Sequence, residues 1–304
     1  MKSLSKSRYT LFRQCPKALW LRIYKPDVAT EDKALEARFE EGNVVGDLAM
    51  GYLGPFEEVT IKNPDGSLDL SEMCRRTRDC MARGVENIAE ASFSWDGNYC
   101  AVDILHKTAG GWAIYEVKSS SGTVDQPDDD PEYVKYARDI AYQKYVLEQC
   151  GVKVTGTYLV RIDKEYVRGN QLDIRGLFYT ADLAELVQQE YQVVPQMIAA
   201  AKRTLDGPEP DIDLGLHCHD PYNCAFWDSA PGICRSHRCS MSMAARAAEG
   251  SLSARSWITT RTESSHLETC GTKISAPSRT CRSNVCWKTA TISILRASRH
   301  SWTD

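Results

Sequence analysis

The sequence predicts an α/β protein in which helices flank a central mixed β-sheet, followed by a poorly structured C-terminal tail. Three observations support this fold class. Apolar residues recur with helical spacing before residue 54, they alternate with strand spacing from Ala91 onward, and a long helical pattern then separates the strands from one further strand. The order helices, three strands, helix, strand, helix is typical of one sheet covered by helices.

Two helical regions are predicted at the start of the chain, over residues 7–24 and 34–53. The first contains Leu11, Leu19 and Ile23 at a spacing that a helix can bury on one face. Pro16 either interrupts this helix or starts a second one, because proline cannot donate to the preceding turn.

A run of strands follows. The alternating segment 91–105 is divided by Asp96-Gly97, which is a two-residue hairpin signal, and a third strand over 111–120 follows a turn at Gly110-Gly111. The remaining predicted elements are a helix over 131–151, a strand over 153–162 and a last helix over 181–204.

The composition changes at about Ser229, which divides the chain into a predicted domain over 1–228 and a tail over 229–304. All 14 Tyr and all 6 Phe precede this point, whereas the tail contains 15 Ser and 5 Cys. The tail has 11 Lys and Arg against 4 Asp and Glu, a charge of +7 that leaves −11 for the domain. The two segments therefore follow different compositional rules.

Two interpretations of the tail are open. Its charge is compatible with a disordered arm that binds nucleic acid. The alternative is an out-of-frame segment: codons that encode SILRASRHSW, residues 293–302, also encode DIEGIKAFL when they are read two bases later. In the shifted frame a cysteine is permitted five or six residues after Cys224.

A group of charged side chains in the predicted strands indicates a catalytic site. Glu116 and Lys118 lie two residues apart and therefore point to the same face of their strand, and a paired neighbouring strand brings Asp103 beside them. Two carboxylates at one sheet edge repel each other unless a cation lies between them, and oxygen ligands suit Mg²⁺ or Mn²⁺. With Lys118 to stabilise developing negative charge, this set is sufficient for hydrolysis of a phosphodiester bond. The alternative is that Asp103 and Glu116 are solvated strand-face charges and Lys118 pairs with one of them.

These residues resemble a known superfamily. Asp103, the triad Glu116-Val117-Lys118 and Gln143 on the next helix resemble the PD-(D/E)XK nucleases of the RecB-like branch, over residues 1–228. The resemblance implies a restriction-endonuclease-like core in which Asp103 and Glu116 bind the divalent ion, Lys118 is the catalytic lysine and Gln143 contacts the site or DNA. It also implies that DNA, single-stranded or at its ends, is the substrate.

The sequence departs from the family pattern at two points. The family has a tyrosine four residues after the glutamine, where this chain has Leu147, and the nearest tyrosine is Tyr145. The acidic residue or histidine of the family's first helix has two candidates here, Glu41 and Asp47.

A cysteine set accompanies the predicted nuclease site. Cys15 near the start of the chain, with Cys218 and Cys224 in the segment CHDPYNCAFWD, resembles the arrangement of CRISPR-associated iron–sulfur exonucleases, in which one N-terminal and three C-terminal cysteines hold a [4Fe–4S] cluster. The fourth ligand is expected shortly after the segment FWD, where the shifted frame supplies a cysteine; in the frame as written, Cys234 is the candidate.

Two other interpretations of these cysteines are open. One is a zinc site that uses His217 or His219, and the other is a set of ordinary thiols. The four cysteines that lie within helical or strand patterns are predicted to be core residues, namely Cys74, Cys80, Cys100 and Cys150.

The composition also bears on location and on the rival functions. No signal-peptide pattern and no run of about 18 apolar residues occurs, so a cytoplasmic protein with free or metal-bound thiols is expected. The rival functions are a non-catalytic nucleic-acid-binding module with a structural zinc site and a redox or assembly protein that acts through its cluster.

Overall fold

The computed structural model describes residues 3–30, 33–122 and 131–227. The chain divides into two units at Ala230, and all of the described residues belong to the first, Met1–Ala230. The tail over 229–304, including Cys234 and both interpretations of that segment, lies outside the described residues.

The described residues form eight α-helices and seven β-strands. The helices are α1 (Lys6–Gln14), α2 (Pro16–Tyr24), α3 (Lys33–Ala49), α4 (Leu70–Arg83), α5 (Pro131–Gln149), α6 (Ile174–Leu177), α7 (Ala184–Tyr191) and α8 (Val194–Asp206). The strands are β1 (Leu4–Ser5), β2 (Glu57–Glu58), β3 (Asn87–Trp95), β4 (Asn98–Thr108), β5 (Gly111–Gly122), β6 (Val154–Asp163) and β7 (Phe178–Asp182).

The strands build one mixed sheet in the order β2-β3-β4-β5-β6-β7, with β1 paired to β4. Strands β3, β4 and β5 are antiparallel neighbours, β6 runs parallel to β5, and β7 is antiparallel to β6. The parallel step from β5 to β6 requires a crossover, which contains α5. The predicted fold class, a mixed sheet flanked by helices, is confirmed.

The predicted hairpin and the first helix pair are also confirmed. Asp96 and Gly97 have φ values of 46° and 73° in the turn that joins β3 to β4, the left-handed conformation that a two-residue hairpin needs. Pro16 starts α2, and Cys15 before it is extended at φ −157° and ψ 116°, because a residue before proline is disfavoured in the helical region. Leu19 is fully buried on the inner face of α2.

Two parts of the prediction differ from the structure. The predicted helix over 181–204 begins as the end of β7 and continues as two helices, α7 and α8, so its helical spacing was extended too far. Helix α4 was not predicted, because its buried face carries only one large apolar side chain, Met73, beside Cys74, Thr77 and Cys80. The signals at its ends are nevertheless present, since Asp69 caps the N-terminus through the Glu72 amide and Gly84 ends the helix at φ 78°.

The core lies between the sheet and α5. Ile140 and Ala141 of α5 are fully buried, as are Leu105 of β4 and Ile114 of β5. Because α5 covers β4 and β5, its polar residues that face the sheet are held over these two strands.

The cysteines predicted to be core residues divide into two groups. Cys74, Cys80 and Cys100 are buried, as predicted. Cys150 is exposed, so that prediction is wrong: it follows the last residue of α5, next to the left-handed Gly151, where the chain turns outward.

Within the described part of the chain, no helix has both the length and the apolarity to cross a membrane.

Candidate active site

The candidate active site lies where β4 and β5 pair beneath α5. Ile104 pairs with Tyr115, and this register sets Asp103 beside Glu116. One oxygen of Asp103, Oδ2, accepts a hydrogen bond of 2.6 Å from the backbone amide of Val117. Asp103, Glu116 and Lys118 therefore converge on one side of the sheet.

Glu116 is the centre of the site. Its side chain is 1% exposed, and its oxygens accept hydrogen bonds from Lys118 Nζ at 2.7 Å, from Gln143 Nε2 at 2.6 Å and from Lys6 Nζ at 2.8 and 2.9 Å. Burial opposes ionisation, but the ammonium groups of Lys118 and Lys6 outweigh it and hold the pKa of Glu116 below its ordinary value. Glu116 is thus a buried, charged carboxylate.

Lys118 is held from several directions. Besides Glu116, its ammonium donates to Asp139 Oδ2 at 3.1 Å and lies 5.3 Å from the centre of the Tyr136 ring. The hydroxyl of Thr10 donates to the other Asp139 oxygen at 2.8 Å. Burial alone would lower the pKa of Lys118, but Glu116 and Asp139 raise it well above its ordinary value, so the lysine is a fixed positive charge.

A third carboxylate, Glu90, lies next to Asp103 and was missed by the sequence analysis. Burial and then the charge of Glu116 raise the pKa of Asp103 to about 6, and burial and then Asp103 raise the pKa of Glu90 to about 7. Glu90 also has a φ of 56°, which is unusual for a residue with a side chain. No sequence signal marks this distortion within β3.

The donor set of this site fits a hard divalent cation. Asp103 and Glu116 supply carboxylate oxygens, and burial followed by the charge of Glu116 raises the pKa of Asp103 to about 6, so added positive charge at the site would favour its ionised form. Gln143 is fully buried, and its Oε1 atom has no hydrogen-bond partner among the described residues. An uncompensated acceptor beside two carboxylates fits a water or a hydrated cation.

The described residues contain no group of three or more His, Cys, Asp or Glu side chains arranged to hold a metal ion. Asp103 and Glu116 fall below that number of ligands; Mg²⁺ is usually bound through one or two carboxylates, with waters and substrate phosphates as the other ligands.

The other residues considered for the site lie on α3 and α5. Asp47 of α3 is exposed, Leu147 is fully buried in the core, and Tyr145 packs against Trp95 with ring centres 6.0 Å apart. Glu41 is half-buried on α3, which packs against β5.

The three predicted cluster cysteines are neighbours in the fold. Cys15 and Cys224 belong to one apolar cluster with Phe226, and the amide of Cys224 donates to the carbonyl of Cys218 at 2.8 Å. Burial raises the pKa values of Cys218 and Cys224, and Cys15 contributes to both changes. The described residues therefore bring three thiols into one region of the fold, but these thiols are not arranged as a metal-binding group, and a [4Fe–4S] cluster requires a fourth ligand.

The two histidines considered as zinc ligands make other contacts in the structure. His219 lies against Trp227 and contacts the Asn223 side chain at 3.2 Å. The carbonyl of His217 accepts a hydrogen bond of 2.8 Å from the Gln14 side chain.

A polar pocket of about 260 Å³ adjoins the site between α1, α5 and the segment 216–222. Its lining includes the cationic side chains of Arg13, Lys135 and Arg138. Tyr222 at its rim is 44% exposed, and Lys135 Nζ lies 5.6 Å from its ring. Thr10, which also lines the pocket, donates to Asp139 at 2.8 Å, so the pocket lies next to the candidate active site.

Comparison with known proteins gives remote similarities only. No family model matches the chain, and no curated protein matches it. Among the solved structures, SSO0001 is similar over 76% of this chain and 86% of its own, with 11% identity and a TM-score of 0.34. An alkaline exonuclease from Laribacter hongkongensis is similar over 45% of this chain and 68% of its own, with 13% identity and a TM-score of 0.25. At this distance no residue role is transferred from either protein.

Proposed function

We propose that residues 1–228 form a divalent-metal-dependent deoxyribonuclease that hydrolyses phosphodiester bonds, of the PD-(D/E)XK type and the RecB-like branch. The observation that carries the proposal is the buried carboxylate of Glu116, which contacts the ammonium of Lys118 and lies beside Asp103. Burying this much charge costs stability and serves no packing purpose, which favours a catalytic role.

Each residue has a distinct role in the proposed reaction. Asp103 and Glu116 would hold Mg²⁺ or Mn²⁺, which supplies positive charge to the phosphoryl oxygen and lowers the pKa of a bound water. Lys118 stabilises the negative charge that develops on the phosphate, and Asp139 fixes the position of its ammonium. Gln143 orients Glu116 through its amide hydrogen bond.

DNA is the proposed substrate. The domain is acidic as a whole, so a polyanion needs a local basic path to reach the site. The pocket lined by Arg13, Lys135 and Arg138 offers such a path, although Glu190 pairs with both arginines. Tyr222 presents an exposed ring on which a base of single-stranded DNA can stack.

Lys118→Met tests the proposed reaction. We expect metal-dependent cleavage of single-stranded DNA to fall at least about 100-fold, because one group that stabilises developing charge is typically worth that factor. DNA affinity measured in EDTA should be retained. Lys25→Gln is the matched control, because Lys25 is exposed and pairs with Glu209 away from the site.

The outcomes separate the candidate functions. If Lys118→Met cleaves DNA as fast as the wild type, Lys118 does not take part in the reaction. A wild-type chain that binds DNA but does not cleave it with Mg²⁺ or Mn²⁺ would instead support a non-catalytic nucleic-acid-binding module.

We also propose that Cys15, Cys218 and Cys224 are ligands of a [4Fe–4S] cluster that joins the start of the domain to its end. The support is the proximity of the three thiols across about 200 residues of sequence. Anaerobic reconstitution followed by iron and sulfide analysis tests this proposal. Cys218→Ala should lose the iron that the wild type retains, with Cys150→Ala as the control, whereas zinc without sulfide would support the alternative.

A further inference from the structure

Lys6 is a second lysine on the carboxylate at the centre of the candidate site. Its ammonium lies 2.8 Å from Glu116 Oε1 and 2.9 Å from Oε2, so it contacts both oxygens at once. Lys118 contacts Oε1 alone. A cation held by both oxygens of one carboxylate occupies the position from which that carboxylate would bind a metal ion.

The backbone at Lys6 is fixed by local structure. Ser5 caps α1 through its side chain, which accepts a hydrogen bond from the Arg8 amide, and β1 pairs Leu4 and Ser5 with β4. Lys6 is therefore the first residue of a helix whose start is attached to the strand that carries Asp103. Its side chain can change direction while its Cα stays in place.

The two lysines differ in what else holds them. Lys118 is also held by Asp139 and the Tyr136 ring, whereas the hydrogen bonds described for the Lys6 ammonium go to Glu116. Exposure does not separate the two, since the side chains of Lys6 and Lys118 are 22% and 23% exposed; the contacts of Lys118 with Asp139 and Tyr136 do. Of the two ammonium groups, Lys6 is the one that can leave.

Electrostatic repulsion would force the Lys6 ammonium away from Glu116 when a divalent ion binds. Burial lowers the pKa of Lys6, but the charges of Glu116 and Asp103 outweigh burial and the opposing charge of Lys118 and raise that pKa above its ordinary value. A divalent ion between Asp103 and Glu116 would repel an ammonium in contact with the same oxygens, because like charges at such separations repel strongly within a protein.

We infer that Lys6 is an internal counter-cation of the site: its ammonium occupies the metal position on Glu116, a divalent ion displaces it, and this competition weakens metal binding. The inference rests on the proposed function, because it requires Glu116 to be a metal ligand. In this role Lys6 is a positioning residue, and it raises the concentration of divalent ion that is needed to occupy the site.

Mn²⁺ binding to the full chain without DNA tests the inference, by isothermal titration calorimetry. We expect Lys6→Gln to bind Mn²⁺ with a Kd about tenfold lower than the wild type, and Lys6→Arg, which keeps the charge, to bind no more tightly than the wild type. Lys25→Gln should match the wild type. Glu116→Gln should lose the binding event, which identifies the site.

The results distinguish two kinds of failure. If the wild type shows no Mn²⁺ binding that depends on Glu116, the proposed metal site itself is wrong. If that binding exists and Lys6→Gln is no tighter than the wild type, the metal site stands and the role of Lys6 is overturned.

A second measurement needs no substitution. Reductive methylation of the wild type, quantified by mass spectrometry at Lys6, should increase several-fold when Mg²⁺ saturates the site, because the amine leaves its carboxylate. Lys25 provides the internal reference. Equal labelling of Lys6 with and without Mg²⁺, under conditions where binding is established, would contradict displacement.

Discussion

Replacing Asp103 by Asn should make the metal-free protein more stable while it removes metal-dependent cleavage. Burial and the charge of Glu116 raise the pKa of Asp103 to about 6 from an ordinary 3.8. The ionised form of Asp103 is therefore disfavoured in the folded state. Asparagine has nearly the same shape and can still accept the hydrogen bond from the Val117 amide through its Oδ1 atom.

The magnitude follows from the two pKa values. A difference between about 6 and 3.8 corresponds to about 3 kcal/mol at pH well above 6, because a tenfold change in proton affinity is worth about 1.36 kcal/mol. At pH 5 about half of this cost persists, and near pH 4 little of it does. Since structural relaxation reduces such costs, we expect Asp103→Asn to gain about 1–3 kcal/mol near pH 8.

The sign of the pH dependence is a second part of the same prediction. Because the pKa of Asp103 is raised, the folded state binds more protons than the unfolded state between about pH 4 and 6, and stability falls as pH rises through this range. Glu90, with a pKa of about 7, acts in the same direction up to about pH 7. Glu116, whose pKa is lowered, contributes stability that is lost only as pH falls below its ordinary 4.5.

Urea unfolding in EDTA at several pH values, read by circular dichroism, measures these quantities. The free-energy difference between Asp103→Asn and the wild type should be largest above pH 7 and shrink toward pH 4. A variant that is as stable as the wild type or less stable near pH 8 would show that burial and the charge of Glu116 do not disfavour the ionised form of Asp103 in the folded state.

Two further predictions concern the pocket and the end of β5. Tyr222→Ala should weaken the binding of single-stranded DNA about tenfold with little change in Tm, because loss of one stacked base typically costs about 1–3 kcal/mol. Fluorescence anisotropy measures this affinity, and an unchanged Kd would exclude base stacking on the Tyr222 ring. Arg161 is 2% exposed and donates hydrogen bonds to the Ser121 carbonyl and to Glu132, both at 2.8 Å. Because Arg161→Met removes these hydrogen bonds, it should lower the free energy of unfolding, measured by urea titration, by about 2 kcal/mol. Equal stability of that variant would mean that Arg161 does not hold the end of β5.

The convergence of Asp103, Glu116 and Lys118 was predictable from sequence because it depends on local geometry. The two-residue period of a strand puts Glu116 and Lys118 on one face, and the turn signal at Gly110-Gly111 predicted that the strand of Asp103 and the strand of Glu116 are neighbours. The same rules identified the breaks at Pro16 and Gly151.

Lys6, Glu90 and Asp139 were not predictable, because their positions depend on packing between distant elements. Lys6 reaches Glu116 across 110 residues of sequence, through the pairing of β1 with β4 and the packing of α1 on α5. In the sequence, Asp139 is an ordinary polar residue of a helix, and its contact with Lys118 arises only because α5 packs over β5. The error at 181–204 has another cause: the five-residue strand β7 is too short to interrupt a helical pattern clearly.

Helix α1 connects two chemically different places. Lys6 and Thr10 contact the carboxylate site, whereas Gln14, at the other end, donates to the carbonyls of His217 and Tyr222, next to Cys15. Nine helical residues span roughly 14 Å and behave as a short rigid rod. Damage to the thiols should therefore alter the proposed phosphodiester cleavage, and a measurement at either place should report on both.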